Sequence, residues 1–282
     1  MIRDLVELTK PRITVLILIC TGVGYFFGLS GPFRFALLLH VLLGTALMAS
    51  GTAALNQWYE SDSDSKMRRT RNRPMAAGRI QRSYGFIFAA MLSVAGFADL
   101  WLGANPLAAE IGLLTLVTYI GLYTPLKRRS AVCTTIGAIP GALPPLIGYA
   151  AASGTLDARA AALFLILFVW QFPHFYAIAW MYRDDYARGG IKMLPVIESD
   201  CESTARRIVG ASLLLVPISL IPAWLGMAGA FYSAAAIASG LALLYFGVRL
   251  SHHRTLAGAR YVLLASVMYL PAVLAIMVLD CS

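Results

Sequence analysis

The chain has 282 residues, 59% of them hydrophobic and only 13% charged, with a formal net charge of +9 and a mean hydropathy of +0.72. An ordinary soluble domain is roughly half apolar and a quarter charged, so lipid rather than water is the solvent for most of this chain. The positive charge does not point to nucleic acid, because the basic residues are interleaved with long apolar stretches and with acids.

A hydrocarbon core about 30 Å thick needs about 20 apolar residues per helical crossing. In chain order the sequence offers nine such stretches: Ile13–Leu29, Phe35–Leu55, Tyr84–Leu102, Leu107–Tyr123, Ala131–Ala152, Ala160–Tyr182, Ile208–Gly226, Ala230–Leu250 and Tyr261–Leu279. They are apolar all round rather than alternating, which excludes a membrane barrel. The expected fold is an all-α membrane protein, a bundle of nine transmembrane helices forming a single domain over residues 1–282. Of the 23 Lys and Arg residues, only Arg34 and Arg159 fall in the odd-numbered connections. The positive-inside rule then puts the N-terminus in the cytoplasm and the C-terminus in the periplasm. The first span begins after twelve residues with no cleavable signal or transit segment before it, so a bacterial inner membrane is expected. Cys20, Cys133, Cys201 and Cys281 show no metal-type or redox-type spacing.

The two longest connections, Asn56–Ser83 and Arg183–Arg207, are both cytoplasmic in this topology, and the unusual polar residues lie in them or in the spans that lead to them. If the second span stays helical past Leu55, then Asn56, Glu60 and Asp64 recur every four residues and share one face. Two carboxylates and an amide then converge; the carboxylates repel unless a cation sits between them, and hard oxygens of this kind suit Mg²⁺ that also holds substrate phosphate oxygens. Asp62 lies off the stripe; it joins through a bend or faces water. Most loop acids are solvated helix ends. Here, however, acids crowd a helix C-terminus, where the dipole opposes them. Lys66–Arg73 then puts five basic residues in eight directly behind, more than orientation requires. Acids that bind metal followed by bases that bind phosphate describe a Mg²⁺–diphosphate site.

The sixth span contains Trp170-Gln171-Phe172-Pro173-His174 and leads to Asp184-Asp185-Tyr186. Pro173 is expected to kink it. His174, Met181 and Asp185 share a face, with His174 about 16 Å deeper. A histidine inside a span is either a bundle-facing group bonded to a neighbouring helix or a ligand-binding group. The rings near these sites (Trp58, Tyr59, Tyr123, Trp170, Phe172, Phe175, Tyr176, Trp180 and Tyr182) are mostly interface belt and packing, while any that face the site would stabilise a developing allylic cation.

The segment from Asn56 to Pro74, an Asn-x-x-x-(Asp/Glu)-x-Asp-x-Asp pattern followed by Met67, Arg69-Thr70 and Arg73-Pro74, resembles the first aspartate-rich motif of the UbiA superfamily of intramembrane prenyltransferases. Tyr123–Arg128, Gly141–Tyr149, Trp170–His174, Asp185-Tyr186 and Met193–Val196 look like the heme-modifying branch of that superfamily, and the similarity covers essentially the whole chain, including Lys10-Pro11. The resemblance implies nine helices around a central cavity with the diphosphate site on the cytoplasmic side. It implies that farnesyl diphosphate is bound through Mg²⁺, and that the farnesyl group joins a vinyl group of heme b, with water supplying a hydroxyl, to give heme O and diphosphate. By position, Asn56, Glu60 and Asp64 would hold Mg²⁺ with Asp62 nearby, and Asp185 would serve from the second motif. Arg68, Arg69, Arg73, Lys127 and Arg128 would take the diphosphate, and His174 would face the heme. A downstream heme A synthase is an implied docking partner. Glu60 stands where Asp is commoner, and Gly189 stands where the wider superfamily has a further Asp; the latter favours heme over a phenolic acceptor such as 4-hydroxybenzoate. A transporter or a heme-binding protein without turnover is the rival from another class, and it gains nothing from acid-then-base loops.

Overall fold

A computed structural model of the chain describes residues 1–198 and 200–281. Among these residues there is no strand, and nine helices are long and apolar enough to cross a membrane: Pro11–Gly28, Phe35–Asp64, Arg82–Gly103, Pro106–Leu126, Cys133–Ser153, Ala158–Met181, Glu202–Trp224, Ala230–His253 and Leu256–Leu279. The nine stretches expected from hydropathy are thus the nine spans, and the chain is a multi-pass membrane protein. The largest difference in bounds is at the second span, which continues nine residues past the apolar stretch that defined it.

Contact density divides the chain into two compact units, Met1–Leu156 with Asp185–Ile191, and Asp157–Asp184 with Lys192–Ser282. The first unit begins with a short helix, α1 (Ile2–Leu8), followed by α2 (Pro11–Gly28), α3 (Phe35–Asp64), α4 (Arg82–Gly103) and α5 (Pro106–Val117). A π-helical stretch, Thr118–Tyr123, leads into α6 (Thr124–Leu126); α7 (Cys133–Ala142) and α8 (Pro144–Ser153) complete the series. Pro125 has no N–H to give to an i−4 carbonyl, and one wide turn absorbs that loss. The fifth span is interrupted at Leu143 for the same reason, since Pro144 and Pro145 follow.

Helices in lipid associate through close packing rather than hydrophobic burial, so small residues mark their contacts. At Gly96 an added Cβ would lie 2.6 Å from the Met48 amide nitrogen, which is how closely α4 approaches α3. At Gly148 an added Cβ would collide with the Thr21 carbonyl, so α8 lies directly against α2. Where α3 nears its C-terminus, Leu8, Ala54, Met75, Ile80 and Ala89 form a buried cluster, with Trp58 packed against it. Trp58 is therefore a packing residue, in line with the commoner reading of these rings.

In the second unit α9 (Ala158–Met181) packs on α12 (Glu202–Ile218) and α15 (Leu256–Leu279), and α14 (Ala230–His253) packs on both of those. Short α10 (Arg183–Arg188), whose Asp185–Arg188 part belongs to the first unit, α11 (Leu194–Ile197) and α13 (Ile221–Trp224) connect the longer helices. α9 is helical on both sides of Pro173. Tyr232 donates its hydroxyl to the Ser219 carbonyl at 2.7 Å, and the hydroxyls of Ser219 and Tyr269 bond to each other, so the buried tyrosines of this unit are satisfied within it.

Candidate active site

Because α3 stays helical to Asp64, its polar end forms one continuous face. Asn56, Glu60 and Asp64 are 2%, 6% and 1% exposed. Each meets one cation from elsewhere in the first unit. Lys10 Nζ donates to Asn56 Oδ1 at 3.1 Å, Lys127 Nζ donates to Glu60 Oε1 at 2.8 Å, and Arg73 Nη1 donates to both oxygens of Asp64 at 2.9 and 2.7 Å. Buried charges are tolerated only when paired and hydrogen-bonded, and here no carboxylate on the face is left alone.

Local structure delivers each cation. The chain turns back after α3, and Thr70 Oγ1 donates to the Asp64 carbonyl at 3.0 Å, so Arg73 returns to the helix end it has just left. Lys127 emerges from the π-helical stretch beside Tyr123, its ammonium 4.4 Å from the ring centroid. Burial opposes the Lys127 charge, but the Glu60 carboxylate and the hydroxyls of Tyr123 and Tyr119 hold its pKa well above the usual lysine value. Lys10 sits at the α1–α2 junction. Enclosure, together with Arg73 and Lys127 nearby, pushes its pKa down to about 7 against the pull of Glu60 and Asp64. The Asn56 amide is fixed from its other end, since Nδ2 donates to Thr124 Oγ1 at 3.4 Å and that hydroxyl donates to the Tyr119 carbonyl at 2.8 Å.

The remaining candidates fall into two groups. Asp62 is corrected: its side chain is 71% exposed, and it pairs with Arg82 at 3.2 Å on the opposite face of α3. It is not part of the buried set. Asp185 accepts from the backbone N–H groups of Arg68 and Arg69, both at 3.0 Å, and is paired with Arg188. Burial works against its charge, yet these donors hold its pKa below the usual carboxylate range. It fastens the turn after α3. Gly189, four residues on, backs against Met67; an added Cβ would lie 2.9 Å from the Met67 sulfur, so a larger residue fits only if Met67 moves. At the rim, Arg69 Nη2 donates to Tyr186 Oη at 3.3 Å and Arg128 Nη2 to Ser63 Oγ at 2.6 Å; Arg68, Arg69 and Arg128 are all exposed.

In the second unit, His174 Nδ1 bonds Ser266 Oγ of α15 at 3.0 Å. Its ring stacks on Trp170, with centroids 4.8 Å apart and planes 24° apart, and Trp170 Nε1 donates to the Ser266 carbonyl at 2.7 Å. The bundle-facing alternative therefore accounts for Nδ1 and leaves Nε2 as the nitrogen for any further partner. Sequence reasoning missed Lys10 and Thr124 as parts of the site. The signal for Lys10 was a lysine directly before a proline at the head of a span; for Thr124 it was its place within the Tyr123–Arg128 stretch.

Among the described residues no three or more His, Cys, Asp or Glu side chains form a metal-holding group. Asn56, Glu60 and Asp64 nonetheless present three hard oxygen donors on one face, and Mg²⁺ characteristically takes only one or two protein carboxylates and completes its shell with water and phosphate oxygens. The donor set fits Mg²⁺ bound together with a diphosphate.

Comparison with known proteins agrees with this chemistry. Residues 17–275 match the UbiA prenyltransferase family. The chain is 55% identical to the protoheme IX farnesyltransferase of Solibacter usitatus, over 99% of this chain and 98% of that one. It is 46% identical to the protoheme IX farnesyltransferase of Koribacter versatilis, over 99% and 94%. Among solved structures, a digeranylgeranylglyceryl phosphate synthase shares the fold at a TM-score of 0.83 and 16% identity, over 99% of this chain and 98% of that one. A UbiA homolog from Archaeoglobus fulgidus bound to GPP and Mg²⁺ shares it at 0.72 and 17%, over 98% and 99%. The chain belongs to the UbiA prenyltransferase family.

Proposed function

We propose that this membrane protein transfers the farnesyl group of farnesyl diphosphate to a vinyl group of heme b, with addition of water, giving heme O and diphosphate. The observation that carries the donor half is the buried Asn56–Glu60–Asp64 face with one cation seated on each member. The acceptor half rests on near full-length likeness to two protoheme IX farnesyltransferases. The chain is read as one prenyltransferase domain over residues 1–282, in which the α3 face would take the diphosphate and His174 would be the heme-facing residue.

Asn56, Glu60 and Asp64 would hold Mg²⁺, which would neutralise the leaving diphosphate; the A. fulgidus homolog with GPP and Mg²⁺ supports this choice of metal. Arg73 and Lys127 stand ready to exchange their carboxylate partners for diphosphate oxygens, and Arg68, Arg69 and Arg128 draw the anion in from the rim. Preorganised charge of this kind is usually the largest contribution to such a barrier. As the allylic C–O bond breaks, its electron pair leaves with the diphosphate. The farnesyl carbon bonds to the terminal vinyl carbon, and water adds to the inner one with loss of a proton. Asp185 serves by holding the Arg68–Arg69 turn in place. The excess of Lys and Arg in the even-numbered connections supports a cytoplasmic active site in a bacterial inner membrane.

The decisive experiment incubates membranes containing the protein with heme b and farnesyl diphosphate. A heme product carrying a hydroxyethylfarnesyl mass increment is expected, and its formation should stop when Mg²⁺ is chelated. Unmodified heme together with prenylated 4-hydroxybenzoate in a parallel incubation would overturn the choice of acceptor.

A further inference from the structure

The geometry points to Lys10 as a third diphosphate-binding cation of the buried site, carried there by the junction of α1 and α2. This inference rests on the metal–diphosphate reading of the α3 face and adds a residue to it. Lys10 lies outside both aspartate-rich stretches and precedes Asn56 by 46 residues.

Three observations converge on it. The first is placement. α3 grips the α1–α2 junction with two consecutive residues. Gln57 Nε2 donates to the Leu8 carbonyl at 3.0 Å, fixing the end of α1, and Asn56 Oδ1 receives the Lys10 ammonium at 3.1 Å. Leu8 is fully buried beside Ala54 of the same helix, so the junction cannot drift from α3.

The second is conformation. Lys10 has φ of 49°, a left-handed backbone that non-glycine residues rarely hold, while Pro11 opens α2 directly after it. A lysine that only marked topology would be free to point to water from a relaxed backbone; this one reaches inward from an unfavourable one.

The third is charge. Asp185 is balanced by Arg188 and Asp62 by Arg82, which leaves Glu60 and Asp64 facing Lys10, Lys127 and Arg73. Two carboxylates thus stand against three basic groups, and half-buried Lys10 is the one whose hydrogen-bond partner is not a carboxylate. Seated on a neutral amide, it gives up least when a charged oxygen arrives.

The test measures binding of inorganic pyrophosphate, with and without Mg²⁺, to the detergent-solubilised full chain by calorimetry, for the wild type, Lys10→Met and Lys10→Arg, with melting temperatures as a check on folding. Lys10→Met should bind pyrophosphate in Mg²⁺ about 10-fold more weakly, as expected for loss of one charge-assisted contact. Lys10→Arg, which keeps the charge, should recover most of the affinity. Wild-type affinity in a folded Lys10→Met, alongside a loss in Arg73→Met, would overturn the assignment while leaving the site itself standing. If wild-type protein bound no pyrophosphate in Mg²⁺, the metal–diphosphate reading would fall, and Lys10 with it.

Discussion

The end of α3 in the first unit and the His174 stretch of α9 in the second are both polar intrusions into apolar helices, yet they are held in different ways. The α3 face is ionic: each member is paired with a cation, 46 residues away for Lys10 and Asn56, 67 for Lys127 and Glu60, and nine for Arg73 and Asp64. The α9 stretch is neutral and locally stacked, with Trp170 and His174 one turn apart on one helix and both bonded to Ser266. An ionic face can exchange its internal partners for a charged ligand, because paired groups of both signs are already in place. A stacked neutral pair offers a surface and a single free nitrogen. The contrast suits a donor that leaves as a polyanion and an acceptor that is a flat ring.

This contrast can be broken by substitution. The largest effect is expected for Asp64→Asn, which removes a buried negative charge while keeping the shape. Turnover to the farnesylated heme product should fall by about 10³-fold, measured in membranes with the protein level checked by immunoblot. Activity within a few-fold of wild type would remove Asp64 from the machinery. Lys127→Met should weaken pyrophosphate binding and lower turnover by about 10²-fold, and Lys127→Arg should restore part of both; equal losses in the two variants would show that packing against Tyr123, not charge, is what matters there. His174→Ala should separate the halves, cutting heme affinity by about 10-fold while pyrophosphate affinity in Mg²⁺ stays at the wild-type value. If both ligands weakened together, the two regions would not be chemically separate.

The smallest effect concerns pH. The folded pKa of Asp185 lies below its ordinary value, which is about 3.9. The stability it contributes is therefore present above that value and lost only as pH falls through the lower folded one. The difference in melting temperature between wild type and Asp185→Asn should stay constant from pH 8 to pH 5 and narrow below about pH 4. A difference that already narrowed near pH 6 would place the relevant proton elsewhere.

Much of the architecture was legible in the sequence because lipid imposes a length rule that hydropathy reads directly. The nine spans and the continuation of α3 through Asp64 follow from apolar runs and four-residue spacing, both of which are local. What could not be read was long-range. Spacing put Asn56, Glu60 and Asp64 on one face but could not say that Lys127 would pair with Glu60 or that Lys10 would pair with Asn56. It also could not decide Asp62, whose position half a turn away left both readings open until its partner Arg82 was known. Asp185 is expected to serve the metal by resemblance; its backbone donors, the N–H groups of Arg68 and Arg69, carry no side-chain signature. The π-helical turn ahead of Lys127 was hinted at only by Pro125.

α3 spans 30 residues, about 45 Å of helix, against a hydrocarbon core of about 30 Å. The surplus turns are the ones that carry the polar face. A prenyl diphosphate can therefore be met at the level of the lipid head groups while its tail remains among the acyl chains. The quantity that governs encounter is then the amount of substrate per unit area of bilayer, not per volume of solution. Adding inert lipid at fixed protein, substrate and volume should slow the reaction by dilution in two dimensions.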